Sequence, residues 1–223
     1  MITWFVLVPL EMLMQLLLSS WFLTPASLPL ALPPPFGGGR AGIVLNALDQ
    51  YGPTRGRDYG REALTLESLG YTSEELDLRE YFRAPQELHR RLAGLDLVWV
   101  LGGNAFVLAR AMNQARFGKA LAVQAPRPEF VYGGYSAGAC VAGPDLQGIE
   151  LIDDPAVLPE GYCETAVPQC LGLVADRIVP HWRSEHPDAE GAERAAKYLN
   201  ERGLQYRCLR DGETMYVDRS LQR

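Results

Sequence analysis

Gly134-Tyr135-Ser136-Ala137-Gly138 sets one serine between two glycines spaced for a sharp strand-to-helix turn. Such a turn lifts a serine oxygen clear of a β-sheet, with glycines where backbone must approach closely. A serine hydroxyl is a poor nucleophile at neutral pH unless a base lies within hydrogen-bond reach and a third group holds that base. Only three histidines are present, His89, His181 and His186, so the base has three candidates. His89 lies among charged neighbours in Gln86-Glu87-Leu88-His89-Arg90-Arg91 and reads as a surface residue. His181 follows the run 177–180, at the carboxyl end of an expected strand, where open α/β sheets place their ligands. It is the expected base, with His186, five residues on, as second choice or as a binding residue.

Acyl transfer also needs donors for a developing oxyanion, commonly two backbone N–H groups, one from the residue after the nucleophile. Ala137 supplies that one. The second is available from Gly102-Gly103-Asn104, a tight turn after another apolar run, where Asn104 also suits a helix N-cap. The four cysteines, Cys140, Cys163, Cys170 and Cys208, contain no C-x-x-C pair, so neither a zinc site nor a disulfide framework is signalled. They read as reduced thiols in a cytoplasmic setting. The chemistry so read requires no metal and no organic cofactor.

These residues need a frame. The 223 residues, 48% hydrophobic and 22% charged, suit one domain that buries a core without staples, and exclude disorder, collagen and coiled coil. Twenty-one Lys and Arg against 27 Asp and Glu give a net charge of -6, with the basic residues scattered, which leaves no footprint for nucleic acid. Residues 1–36 carry a single charge, Glu11, yet the first basic residue is Arg40, so a secretory signal lacks its basic flank and Glu11 and Gln15 interrupt any spanning helix. The preferred reading is a buried first strand at 14–20 after an extension over 1–13, with no membrane partner.

Further strands are expected at 41–48, 71–78, 95–101, 129–133 and 177–180, and two more within 205–217 around Asp211-Gly212. Helices are expected at 61–69, 85–92, 104–117 and 188–202. The run 95–101 is almost continuously apolar, the profile of a parallel strand covered on both faces. This alternation predicts an α/β fold with a mainly parallel sheet between helix layers, in a single domain over 14–223.

Gly102-Gly103-Asn104-Ala105-Phe106, Gly134-Tyr135-Ser136-Ala137-Gly138-Ala139, and Gly172-Leu173-Val174 leading to Pro180-His181-Trp182, in this order, resemble the peptidase E (aspartyl dipeptidase) and cyanophycinase family of serine peptidases. The resemblance implies a three-layer α/β/α sandwich like that of class I glutamine amidotransferases, with Ser136 as nucleophile, His181 as base and an oxyanion hole on the backbone of Gly103 and Ala137. It implies a serine exopeptidase acting through an acyl-enzyme on short peptides. A second copy of the chain is kept as a candidate partner, with the oligomeric state left open. His186 falls on a histidine that peptidase E carries shortly after its catalytic one. Asn104, Tyr135, Gln147 and His186 are the residues expected against the substrate. The third, acidic member maps to Asp211 in Leu209-Arg210-Asp211-Gly212, although Asp-Gly between two β-like runs is also a hairpin signal. Glu213, Asp153 and Asp154 stay in competition. Asp154, between serine and histidine in the chain, would serve an α/β-hydrolase esterase, the main rival; a catalytically silent binding protein on the same fold is the other. Aspartyl dipeptidases carry an arginine shortly after the nucleophile, where this chain has Gln147 in Pro144-Asp145-Leu146-Gln147-Gly148. A neutral amide lacks the charge-assisted fork that grips a carboxylate, so strict specificity for N-terminal aspartate is not expected.

Overall fold

A computed structural model of the chain describes residues 13–23, 38–164 and 169–218. The expected extension lies outside them except for Leu13, as does most of the Pro-rich stretch 33–39. Strands β1 (Gln15–Ser19), β2 (Gly39–Val44), β3 (Tyr71–Glu75), β4 (Leu97–Val100), β5 (Val131–Tyr135) and β8 (Thr214–Val217) form one sheet in the order β3-β2-β4-β5-β1-β8. All neighbours are parallel except β8, which runs antiparallel to β1. A second, two-stranded parallel sheet joins β6 (Arg177–Val179) to β7 (Tyr206–Cys208).

Alternation along the strands sends side chains to two cores, because successive Cβ atoms leave opposite faces of a strand. Leu16, Leu18, Val98, Val100 and Tyr132 face α2 (Pro85–Ala93), α3 (Ala105–Gln114) and α4 (Phe117–Gln124). Leu17, Ile43, Leu97, Trp99 and Tyr135 face α1 (Gly56–Glu67), whose Ala63 and Leu66 point inward. The fold is therefore α/β, a mainly parallel sheet covered on both faces, and the continuous apolar character of 95–101 is accounted for. A third, smaller core packs β6 against α6 (Ala189–Glu201) through Val179, Ala192, Ala195 and Leu199. Among the described residues no helix is long and apolar enough to cross a membrane.

Three expectations are corrected. The strand at 177–180 does not enter the main sheet: β6 pairs with β7 instead, and β8 takes the place beside β1. The two strands around Asp211-Gly212 are consequently not a hairpin. The chain turns there, with Glu213 N–H donating to the Arg210 carbonyl (2.8 Å), but β7 and β8 belong to different sheets. The helix expected over 104–117 is present as α3 but stops at Gln114, and after Arg116 adopts a left-handed φ of 54° a further helix, α4, runs from Phe117.

The helix after β5, α5 (Ala137–Cys140), lies so close to β4 that a Cβ on Gly138 would collide with the Val100 carbonyl oxygen. That oxygen is backbone and cannot step aside. Gly138→Ala is expected to destabilise the protein by about 1–3 kcal/mol, the usual range for overpacking. Urea unfolding checks this, and an unchanged midpoint would refute the close approach.

Candidate active site

Ser136 directly follows β5 with φ 49° and ψ -114°, outside the regions open to an ordinary side chain. Such a conformation costs on the order of 1–3 kcal/mol and persists only when its surroundings impose it. Here Ser136 N–H donates to the Ser19 carbonyl on β1 (3.1 Å), and Tyr132, beneath, donates its hydroxyl to the Gly138 carbonyl (2.8 Å). The result is a raised serine between a buried strand and a short helix.

His181 lies directly beyond β6 and Pro180, buried, with φ 61°. Its Nε2 is 3.0 Å from Ser136 Oγ, and its Nδ1 is 2.8 Å from Asp211 Oδ1. A carboxylate only accepts, so the arrangement fits Nδ1–H donating to Asp211 and Ser136 Oγ–H donating to Nε2. Burial pushes the His181 imidazole below its ordinary pKa, outweighing the opposing pull of the Asp211 hydrogen bond. A neutral ring between hydroxyl and carboxylate is able to take the serine proton and hold it as an imidazolium facing Asp211. Ser136 thus comes from the main sheet, His181 from the small one, and Asp211 from the connection between them.

The other expected residues have varied placements. His186 stacks on His181, ring centroids 3.7 Å apart and 8° from parallel, and its Nδ1 accepts from Asp188 N–H (3.2 Å). Gly103, at φ 133°, lines the cavity beside Ser136, and a Cβ there would meet the Ala47 carbonyl oxygen at 2.6 Å. Ala137 opens α5 directly after Ser136. Tyr135 lines the cavity, and its hydroxyl accepts from Arg61 Nη2–H (3.1 Å). Asn104 also lines it, but its side chain is spent on structure: Oδ1 accepts from the N–H groups of Phe106 and Val107, and Nδ2 donates to the Asp154 carbonyl. Asp154 borders the cavity with its carboxylate accepting from Ala156 N–H, Glu213 accepts from Arg210 N–H, and neither is bonded to His181. Gln147 is exposed, hydrogen-bonded to Asp145, and does not line the cavity.

The cavity in front of Ser136 has a volume of about 480 Å³. It includes residues that the sequence reading did not assign to the site. Trp21, two residues past β1, sets its ring edge-on to His181 (5.2 Å) and His186 (4.6 Å). Arg61 is fixed by Glu62 (3.0 Å), Asp58 (3.0 Å) and the face of Phe22 (4.5 Å), so its charge is already matched by carboxylates. Asp153 and Asp188 complete an acidic wall. The rule that α/β sheets bind ligands at strand carboxyl ends would have pointed to Trp21 after β1; no sequence signal marks Arg61 in the middle of α1.

The sequence profile described as peptidase family S51 matches residues 59–221. The chain belongs to peptidase family S51. No curated protein matches this S51 member significantly. Its fold is shared with two solved structures. A candidate peptidase E from Listeria monocytogenes EGD-e is 24% identical, with a TM-score of 0.72 over 92% of this chain and 94% of the other. A peptidase from an acI-B1 Actinobacterium is 17% identical, with a TM-score of 0.64 over 93% of this chain and 84% of the other.

Burial raises the Asp153 carboxyl to about 7, against the opposing hydrogen bond from Ala105 N–H (2.8 Å to Oδ2). Its folded pKa exceeds the unfolded one, so the folded state is favoured below about pH 4 and loses stability as pH rises through about 7. Asp153→Asn keeps an acceptor for Ala105 and removes the charge. The variant is expected to be more stable than the S51 wild type at pH 8, by at least about 1 kcal/mol where one pKa unit is about 1.4 kcal/mol, with a smaller gap at pH 5. Thermal melts at both pH values check this; an equal gap at both would refute it.

Proposed function

We propose that the chain is a serine exopeptidase that hydrolyses short peptides through an acyl-enzyme. The observation that carries the reading is the relay from the strained Ser136 through buried His181 to Asp211, at 3.0 and 2.8 Å. In this reading Ser136 Oγ attacks the scissile carbonyl carbon while His181 Nε2 takes its proton. The N–H groups of Gly103 and Ala137 stabilise the oxyanion. The tetrahedral intermediate collapses with proton return from His181 to the departing amine. Water then attacks the acyl-enzyme by the same route in reverse, freeing Ser136. Asp211 holds the ring in the productive tautomer throughout.

The cavity favours small substrates, its volume lying at the lower end of the usual range for small-molecule sites. Its charge speaks against a restriction to N-terminal aspartate. Asp154 and Asp188 line it, with Asp153 adding charge only as pH rises through about 7, while Arg61 is engaged with Asp58 and Glu62. The Gln147 substitution adds nothing to this reading, because that residue lies outside the cavity.

Ser136→Ala and His181→Ala are expected to lower kcat on a peptide library by at least about 10⁴-fold. Asp211→Asn should cost about 10³–10⁴-fold through the wrong tautomer, and Asp154→Ala should remain close to wild type. Loss of turnover in Asp154→Ala with activity kept in Asp211→Asn would sink this assignment in favour of the esterase order. Because burial depresses the His181 pKa, the acid limb of kcat/KM should fall below the ordinary histidine value of about 6.5. An acid limb above that value would contradict a buried neutral base.

A further inference from the structure

Ser20, directly after β1, is fully buried, and its hydroxyl holds two partners from distant parts of the chain. Its Oγ accepts from the His181 backbone N–H at 2.7 Å and lies 2.7 Å from Asp211 Oδ1. The backbone amide has its hydrogen fixed, so the serine proton is free only toward the carboxylate. The result is a closed ring: His181 N–H to Ser20 Oγ, Ser20 O–H to Asp211 Oδ1, and His181 Nδ1–H to the same Oδ1. Both ends of this ring need support. His181 sits at φ 61°, a region unfavourable to a non-glycine residue, and Asp211 sits in a turn with no helix or strand to fix it.

We infer that Ser20 is a positioning residue, holding the strained backbone of His181 and the carboxylate of Asp211 in one direction of hydrogen bonding that leaves Nε2 unprotonated toward Ser136. The role rests on the serine peptidase reading above. Ser184 gives the same carboxylate a second anchor, since its Oγ accepts from Asp211 N–H at 2.8 Å, but it does not touch His181 through a side-chain bond. Charged or titratable groups around the ring are Asp211 from the turn before β8, and His186 and Asp188 from the segment leading into α6; Trp21 from the end of β1 closes the edge. None of these others bridges base and acid.

The test compares Ser20→Ala and Ser20→Thr with wild type in peptide hydrolysis across pH, and follows the His181 ring by 15N NMR. Ser20→Ala is expected to lower kcat roughly 10- to 100-fold with KM little changed, since about 1 Å of misplacement is worth about 100-fold. Its acid limb should move to higher pH, because a loosened ring gains water and titrates nearer its ordinary value. Ser20→Thr keeps the hydroxyl and should restore both. In the wild type the ring nitrogens should report the Nδ1–H tautomer near neutral pH. Wild-type kcat with an unmoved acid limb in Ser20→Ala overturns the inference, as does a wild-type ring protonated at Nε2, a result that needs no variant to fold. If wild type hydrolyses no peptide and a phosphonofluoridate leaves Ser136 unlabelled, the peptidase reading fails instead, and the tautomer and titration of His181 still judge Ser20.

Discussion

The pairing of β1 between β5 and β8 is the constraint on which the rest of the site depends. Leu16–Leu18 are buried, so the strand is fixed by apolar surface on both faces as well as by two ladders. Its parallel register against β5 sets Ser19 opposite Tyr135, which brings the end of β1 beside Ser136. Its antiparallel register against β8 sets Ser19 opposite Thr214, which draws the preceding turn, and Asp211 with it, to the same place. Burial of Leu16, Leu17 and Leu18 holds the strand in the sheet, and the two ladders set the register that brings Ser19 beside Ser136.

The small sheet completes what β1 begins. Trp182 N–H donates to the Leu209 carbonyl and Leu209 N–H to the Val179 carbonyl, tying the ends of β6 and β7 together. His181 and Asp211 emerge from those tied ends, so the imidazole and the carboxylate arrive as a pair. The backbone is strained at both Ser136 and His181, and the surrounding bonds carry that strain: the Ser19 carbonyl for one, the Ser20 hydroxyl for the other. Strain held in this way is what a preorganised site requires, because nothing has to rearrange when charge develops.

Electrostatically the site has two components. His181 is buried among aromatic rings, with Trp21 at its edge and His186 on its face, which favours the neutral imidazole. Asp188 lies beside that histidine pair, and the cavity wall also carries Asp154 and Asp153, the latter raised to about 7 by burial. Arg61, the guanidinium on the wall, is balanced by Asp58 and Glu62, so the cavity presents carboxylates rather than a free cation.

Much of this was legible in the sequence because it is local. The glycine pattern around Ser136 announced a strained strand-to-helix turn, and periodicity marked the strands of the parallel sheet, since both depend on neighbours a few residues apart. Asn104 as a helix cap is of the same kind. Long-range pairing was not legible. Nothing local distinguishes a β6 that joins the main sheet from one that pairs with β7, and Asp211-Gly212 satisfies a hairpin turn and a sheet-to-sheet connection equally well. Ser20 and Trp21 reach the site only because β1 lies beside β5, 116 residues along the chain at the Gln15–Val131 pair. Arg61 reaches it because α1 packs on the Trp99 face of the sheet. Gln147, adjacent to the nucleophile segment in sequence, turns outward with Asp145. The sequence by itself determined the serine turn, the α/β alternation and the short roster of histidines; only tertiary structure decided which acid meets His181 and which side chains wall the cavity, because those contacts are set by strand register and sheet order, which chain neighbours do not encode.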